Sequence, residues 1–436
     1  MKPFCHRLIW LHIETNQWGR SMNGDIQTIA TQGLSRRLLL LLAVVAAFMV
    51  SNLYYGQPLL ESIGVDMGIP MAGVGWVVAS AQAGYLLGLV LVVPLGDLVN
   101  RRALIALQVG ATSAGASVVA LASSPAALLA GFMFLGLASS VVQTIVAFTA
   151  ASSTPAQRGG NIGTVTAGVV SGIILARTVA GGLTDLWGWR TVYVLAAGAG
   201  VILAIAAFHA LPSDHRVRGE VRYWRAVGSV VVLTRSNPVF RTRAVITMLL
   251  FASFGVLWSG MSLLLGSPAW NLPPSVIGLF GLAGLVGVLA ASKAGAAADR
   301  GWGQRVTGMS LVALLGSWVA LSLGDWSLLW FVAGIIVLDA AVQAVHVSSQ
   351  TMIVAGAEES ASSIIGSYMV FYSVGSAMGA AAVAPVFDAW GWTGASLLGA
   401  VFAFLALAVW GTDRVRRARK PAGTALVRGV CHAGAE

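Results

Sequence analysis

The chain has 436 residues, 57% of them hydrophobic and only 10% charged, with a mean hydropathy of +0.82. A soluble domain carries about a quarter charged residues, so a cytosolic enzyme, a secreted module and a disordered chain are excluded. The apolar runs are continuous, which also excludes a membrane β-barrel and leaves an all-α polytopic membrane protein. The net charge of +10, from 26 Lys and Arg against 16 Asp and Glu, fits either nucleic acid or a basic membrane rim, and the positions of the charges decide between them.

A spanning helix needs about 20 apolar residues plus a connector, so twelve spans fit at about 36 residues each. In chain order the apolar runs predict spans at 38–60, 72–95, 103–122, 126–151, 160–183, 191–211, 243–266, 275–298, 306–323, 327–353, 361–385 and 392–411. Short breaks rich in Gly, Pro and Ser separate them, as at Ser123-Ser124-Pro125 and Asn271-Leu272-Pro273-Pro274. The long break at 212–242 reads as a linker between two six-helix halves, 36–211 and 243–411. Residues 1–35 form an N-terminal tail and 412–436 a basic C-terminal tail. Residues 1–33 lack the apolar core and cleavage site of a signal peptide, and a translation start at Met22 is one reading of them. Cys5 and Cys431 lie in the two tails, so no disulfide is expected.

Orientation follows from the Lys and Arg bias. With the N-terminus in the cytosol, the cytosolic segments collect Arg36, Arg37, Arg101, Arg102, Arg158, the linker arginines with Arg243, then Arg300, Arg305, Arg414, Arg416, Arg417, Arg419 and Lys420. The outer loops hold Arg190 alone, and carry Glu61, Asp66, Asp185, Asp325 and Asp388. Both termini are therefore expected in the cytosol, and the basic charge needs no nucleic acid. Anionic lipid of the inner leaflet suits the linker and the C-terminal cluster.

The two halves repeat. Asp97 and Asp299 stand 202 residues apart, each followed by arginines. Asp185-Leu186-Trp187-Gly188-Trp189 returns 203 residues later as Asp388-Ala389-Trp390-Gly391-Trp392. Gln143 and Gln343 differ by 200. Two parallel six-helix halves related by an axis along the membrane normal account for one shared offset.

On these marks the sequence resembles the major facilitator superfamily over about 36–411. The most specific is Gly295-Ala-Ala-Ala-Asp299-Arg300-Gly-Trp-Gly303-Gln-Arg305, similar to that family's loop G-x-x-x-D-R-x-G-[RK]-[RK] with one insertion. The first-half copy keeps Asp97, Arg101 and Arg102 but has Val93, Leu98 and Asn100 in place of the two glycines and an arginine. The resemblance implies twelve helices in two pseudo-symmetric halves. It also implies a cytosolic gate made by Asp97, Arg101, Arg102, Asp299, Arg300 and Arg305, clamping helix ends through ion pairs and dipoles. Ser51-Asn-Leu-Tyr54-Tyr55-Gly-Gln57-Pro58, Gly172-Ile-Ile-Leu-Ala-Arg177 and Asp339-Ala-Ala-Val-Gln343 look most like bacterial drug:proton antiporters. Against that, the fifth span lacks their Gly-Pro pair, and Phe132 stands where the fourth usually has an arginine.

Arg177, Asp339 and Lys293 are the ionisable residues read inside spans, and each costs about 2.5–3.5 kcal/mol at a helix centre, which marks functional positions. Asp339 lies about 18 Å into the tenth span, near the midplane of a ~30 Å core. An unpaired carboxylate is costly there and its protonated form is not, so Asp339 is the expected proton carrier. Arg177 keeps its charge and is expected to hold an acid or an anionic solute group. Lys293 is read as reaching for the membrane surface. Tyr54, Tyr55, Gln57, Gln82, Tyr85, Gln143, Trp258, Tyr368, Phe371 and Tyr372 are expected to line the cavity. So is a polar stripe of Gln343, His346 and Gln350, which must face the interior.

No phosphate loop, metal spacing or nucleophile elbow occurs, so no enzyme, cofactor or metal is expected. The expectation is a monomeric secondary transporter of a small organic solute in the plasma (bacterial inner) membrane, exporting by proton antiport. Proton-coupled uptake or facilitated export of a metabolite is the rival reading. A membrane-embedded enzyme or a non-transporting sensor on this fold is the rival of another class.

Overall fold

A computed structural model describes residues 34–154, 157–212, 223–284, 293–294, 297–354 and 361–418. The two tails, Met22, and linker arginines 216, 218 and 222 lie outside these residues. Ten helical stretches among the described residues are long and apolar enough to cross a membrane. The first six are spans 1–6: Arg36–Met67, Met71–Gly96, Arg101–Ala120, Pro125–Ala151, Arg158–Trp187 and Trp189–Ala210. Span 7 is Pro238–Gly266, span 9 is Arg300–Asp325 and span 10 is Leu328–Val354. Spans 11 and 12 run together as Ile364–Arg416, bent at Gly391. Span 8 is described over Pro274–Gly284. The architecture is the expected all-α arrangement of twelve helices.

Two glycines explain the repeated Trp-Gly-Trp motif. Gly188 between spans 5 and 6 has φ 82° and Gly391 between spans 11 and 12 has φ 60°. Both lie in the left-handed region that glycine tolerates best, so the motif is a turn used once per half. Packing repeats as well. A Cβ on Gly168 or Gly172 of span 5 would overlap the backbone of span 1 at Ala43 and Ala47. One on Gly375 or Gly379 of span 11 would overlap span 7 at Met248 and Ala252. The two glycine pairs stand 207 residues apart. Small residues at a four-residue spacing let backbones meet where no water drives helices together, so Gly168 and Gly172 serve packing.

The region of the linker differs from the expectation at its end. Span 7 starts at Pro238, not 243, because Pro238 sits in the first turn and Asn237 caps the helix, accepting from the Val239 and Phe240 amides at 3.0 Å. A separate helix, Tyr223–Ser236, occupies the linker before it. Arg241 extends the polar break in the sequence and Arg243 opens the expected span, yet both lie within span 7, where Arg243 is buried.

Candidate functional site

Span 1 breaks where its polar residues fall. Helix Arg36–Tyr54 gives way to a 3₁₀ turn, Gln57–Leu59, before helix Leu60–Met67. Pro58 lacks an amide hydrogen and cannot continue an α-helix unbent. Gln57 is buried at this break, and its Oε1 accepts from Arg177 Nε of span 5 at 2.9 Å. The Arg177 guanidinium carbon lies 3.6 Å from the ring centroid of Trp258 and 5.0 Å from that of Tyr54. Trp258, buried in span 7, donates its Nε1 hydrogen to Asp339 Oδ1 of span 10 at 3.2 Å. The hydroxyls of Tyr54 and Tyr372 share a 2.6 Å hydrogen bond across the halves.

Spans 1 and 5 thus contribute Tyr54, Gln57 and Arg177, while spans 7, 10 and 11 contribute Trp258, Asp339 and Tyr372. The cation and the acid are joined through one indole, Arg177 on its face and Asp339 at its edge. A cation over the face of tryptophan is held by the ring quadrupole. The Nη2 of Arg177 is buried with no hydrogen-bond partner.

Span 8 brings bare backbone past both charges. Gly278, Gly281 and Gly284 recur every third residue, and over Phe280–Gly284 the helix is 3₁₀, in which such residues eclipse. A Cβ at Gly281 would stand 3.3 Å from Arg177 Cβ and Cδ, one at Gly284 3.0 Å from Asp339 Oδ2, and one at Gly278 would overlap the Arg177 carbonyl. Sequence reading missed this stripe, although its three-residue spacing is visible.

A second polar group lies between Asp339 and the basic rim, the end of the bundle that carries Arg36, Arg101 and Arg300. Thr247 Oγ1 donates to Tyr368 Oη at 2.5 Å, His346 Nδ1 lies 3.2 Å from that hydroxyl, and Gln350 Nε2 lies 3.2 Å from His346 Nε2. Phe251 connects the groups, its centroid 4.1 Å from Tyr372 and 5.2 Å from His346. Of the expected stripe, Gln343, His346 and Gln350 are each half-buried. Gln143 donates to Tyr85 Oη at 3.3 Å, and Tyr85 stands edge-on to Tyr372. The Gln82 side-chain amide is buried without a partner, while its backbone carbonyl accepts from Ser373 at 2.6 Å. Tyr55 turns away from this cluster and packs against Tyr193 in its own half. Phe371 packs edge-on to Phe240.

Arg243 is the charged residue that sequence reading placed outside the bilayer. Its Nη1 donates to Thr307 at 2.7 Å and approaches Ser349 at 3.5 Å, tying spans 7, 9 and 10 together. Lys293 is exposed.

Among the gate residues, Arg101 Nε donates to the Gly96 carbonyl at 2.9 Å, and the Arg102 guanidinium lies 4.7 Å from the Phe208 centroid. Arg300 and Arg305 are exposed. The side chains of Asp97 and Asp299 lie outside what the structure describes. Several bonds between the halves lie at the opposite, acidic rim. Asp185 Oδ2 accepts from the Ser275 amide at 3.2 Å, capping span 8 from the other half, and Thr178 donates to the Gly278 carbonyl at 3.2 Å. Glu61 lodges against Gly266 at the end of span 7, where a side chain would collide with it. A depression of about 560 Å³ lined by Glu61, Ser62, Asp66 and Ile277 marks this rim. Asp66 is held by Arg190 and by Trp189 Nε1.

The family model for the Major Facilitator Superfamily matches residues 39–380. The chain is 38% identical over 377 residues to the "Uncharacterized transporter YgaY" of Escherichia coli O157:H7, covering 86% of this chain and 95% of that protein. It is 30% identical over 390 residues to the "Probable transporter SCO4007" of Streptomyces coelicolor, covering 89% of each. Among solved structures, a bacterial homologue of the human lysosomal transporter Spinster, inward-facing and unoccupied, superposes with a TM-score of 0.73 at 14% identity, over 88% of this chain and 98% of that one. The chain belongs to the major facilitator superfamily and is a multi-pass membrane transporter, not an enzyme.

Proposed function

We propose that the chain exports a small organic solute against proton entry by alternating access. In this reading Asp339 takes and releases the coupling proton, and Arg177 holds an anionic group of the solute. The observation that carries it is the midplane cluster, in which a cation from one half and an acid from the other meet at the Trp258 ring. Charge is costly at this depth, so protonating Asp339 changes what it costs to bring the halves together or part them. Alternating exposure then follows from rocking one half against the other around a fixed site.

In this reading both termini, the basic rim and the linker face the cytosol of a bacterial inner membrane, an orientation that the Lys and Arg bias supports. The closed acidic rim then faces outward, and the arrangement belongs to a state accessible from the cytosol. Asp97, Asp299 and their arginines clamp the cytosolic rim in the alternate state. His346, Tyr368 and Gln350 line the route from Asp339 toward that rim. The exporter works as a monomer.

Proteoliposomes with an imposed pH gradient, screened against a solute library, test this reading. Asp339→Asn is expected to abolish gradient-driven movement while keeping solute exchange at equal concentrations. Uphill transport by that variant at the wild-type rate would make the acid structural and place coupling elsewhere.

A further inference from the structure

The linker helix Tyr223–Ser236 carries more apolar surface than the protein covers. One side packs inward: Leu233 lies against the small cluster of Phe240, Ile353, Ile364 and Tyr368 at the basic end of the second half. On the other side Trp224 is 75% exposed, Val231 52% and Val232 63%. These three residues and the exposed Arg235 stand at i, i+7, i+8 and i+11, so they share one helical face. A cytosolic helix would present polar residues there, and a contiguous exposed apolar face marks a contact surface. At 14 residues the helix is too short to span. Its N-terminal end is tethered to the first half, since Tyr223 Oη donates to the Leu91 carbonyl at 2.8 Å.

Charge identifies what covers the face. Glu220 precedes the helix, but from Val221 to Ala298 the sequence has no Asp or Glu, whereas Arg225 and Arg235 fall within the helix and Arg241 just beyond it, the last two exposed. A bare apolar face that itself carries no acid and is flanked by exposed cations fits an anionic lipid surface, with the ring and valines at the acyl boundary and the Arg235 and Arg241 guanidiniums among the headgroups. We infer that Tyr223–Ser236 lies in the plane of the leaflet at the basic rim as an anionic-lipid anchor. It is tied at one end to span 2 and at its side to the second half. The inference holds whatever solute or ion the protein moves.

The test uses the full chain with Cys5 and Cys431 replaced by serine and a single dye-labelled cysteine from Val231→Cys, with Trp224→Cys as a second position. Each is reconstituted into phosphatidylcholine vesicles with and without phosphatidylglycerol. Quenching by spin-labelled lipid is compared with quenching by aqueous iodide. Lipid quenching is expected to dominate at both positions and to strengthen with phosphatidylglycerol. Arg235→Glu with Arg241→Glu should lower the ratio of lipid to iodide quenching by about fivefold or more, the weight of one cation near an anionic surface. Iodide quenching as complete as for free dye, in both vesicle types, would put the face in water and overturn the inference. Shielding from both quenchers would mean that protein covers the face, and would overturn it equally.

Discussion

Replacing Trp258 with phenylalanine separates what the indole does from the space it fills. The variant keeps an aromatic face under Arg177 but removes the donor that reaches Asp339 Oδ1 at 3.2 Å. Leaving a buried acceptor without its donor costs about 1–3 kcal/mol, and more for a charged one. Phenylalanine is also a weaker cation–π partner than tryptophan, by a fraction of the ~0.5–2 kcal/mol such contacts supply. At 1.4 kcal/mol per factor of ten, the donor alone is worth roughly 5- to 150-fold in any step that needs the joined cluster. Gradient-driven flux in proteoliposomes is therefore expected to fall by about tenfold or more. Solute exchange without a gradient, which on the proposed mechanism does not require Asp339 to cycle, should fall much less. Detergent size-exclusion profiles and thermal unfolding check that the variant is folded. Gradient-driven flux within twofold of wild type would show that Trp258 only fills space, and the acid and the cation would need another link.

The remaining predictions address the cation and the two rims. Arg177→Lys retains the charge but loses the flat fork that stacks on Trp258 and bonds Gln57 at 2.9 Å. Hydrogen bonds to charged groups are worth about 1.5–3 kcal/mol, so solute affinity measured by scintillation proximity should drop at least tenfold; equal affinity would leave the fork idle. Asp185→Ala removes the cap on the Ser275 amide, worth about 0.5–2 kcal/mol. Alkylation of a cysteine at Ser62, in the acidic-rim depression, should then rise, and unchanged labelling would strip that bond of any role in closure. Asp97→Asn should slow transport while solute binding in detergent persists, and should raise labelling of cavity cysteines from the basic side. Unaltered accessibility would leave the loop a topology signal alone.

The twelve spans were legible because hydropathy and breaker residues are local signals, and their order needs no tertiary information. The repeat was legible because a turn needing positive φ leaves a glycine in the sequence, and Gly188 and Gly391 each kept theirs between tryptophans. Asp339 and Arg177 were legible through cost, since charge rarely survives inside a span without a use. Their partners were not. Nothing in the spacing of Gln57, Arg177, Trp258 and Asp339 along the chain says that one indole lies between the cation and the acid. Arg243 was misplaced for a related reason. Beside Arg241 and Asn237 it reads as the first residue of the span, at the rim, and only the cap at Asn237 reveals that the helix has already begun. The acidic-rim contacts were missed because Ser275 bonds through its backbone amide and Thr178 bonds a backbone carbonyl, which carry no side-chain signature.

The repeat conserves the frame and not the chemistry. Carrying the 207-residue offset of the packing glycines from Arg177 to the second half lands on Ala384, and carrying the 200-residue offset of Gln143 and Gln343 back from Asp339 lands on Ser139. Both are buried and uncharged. Each half therefore holds one member of the charged pair, inside matching helix packings. Two equal frames can rock against each other with similar contacts on either side of the midplane. In the arrangement described, the two opposite charges, held in different frames, meet where span 5 packs against span 8 and the Trp258 ring. On the proposed antiport reading, the symmetric scaffold supplies two states of comparable energy, and a proton or a bound anion at the asymmetric pair favours one of them. A ligand shifts such a balance only by as much as its affinity differs between the two states.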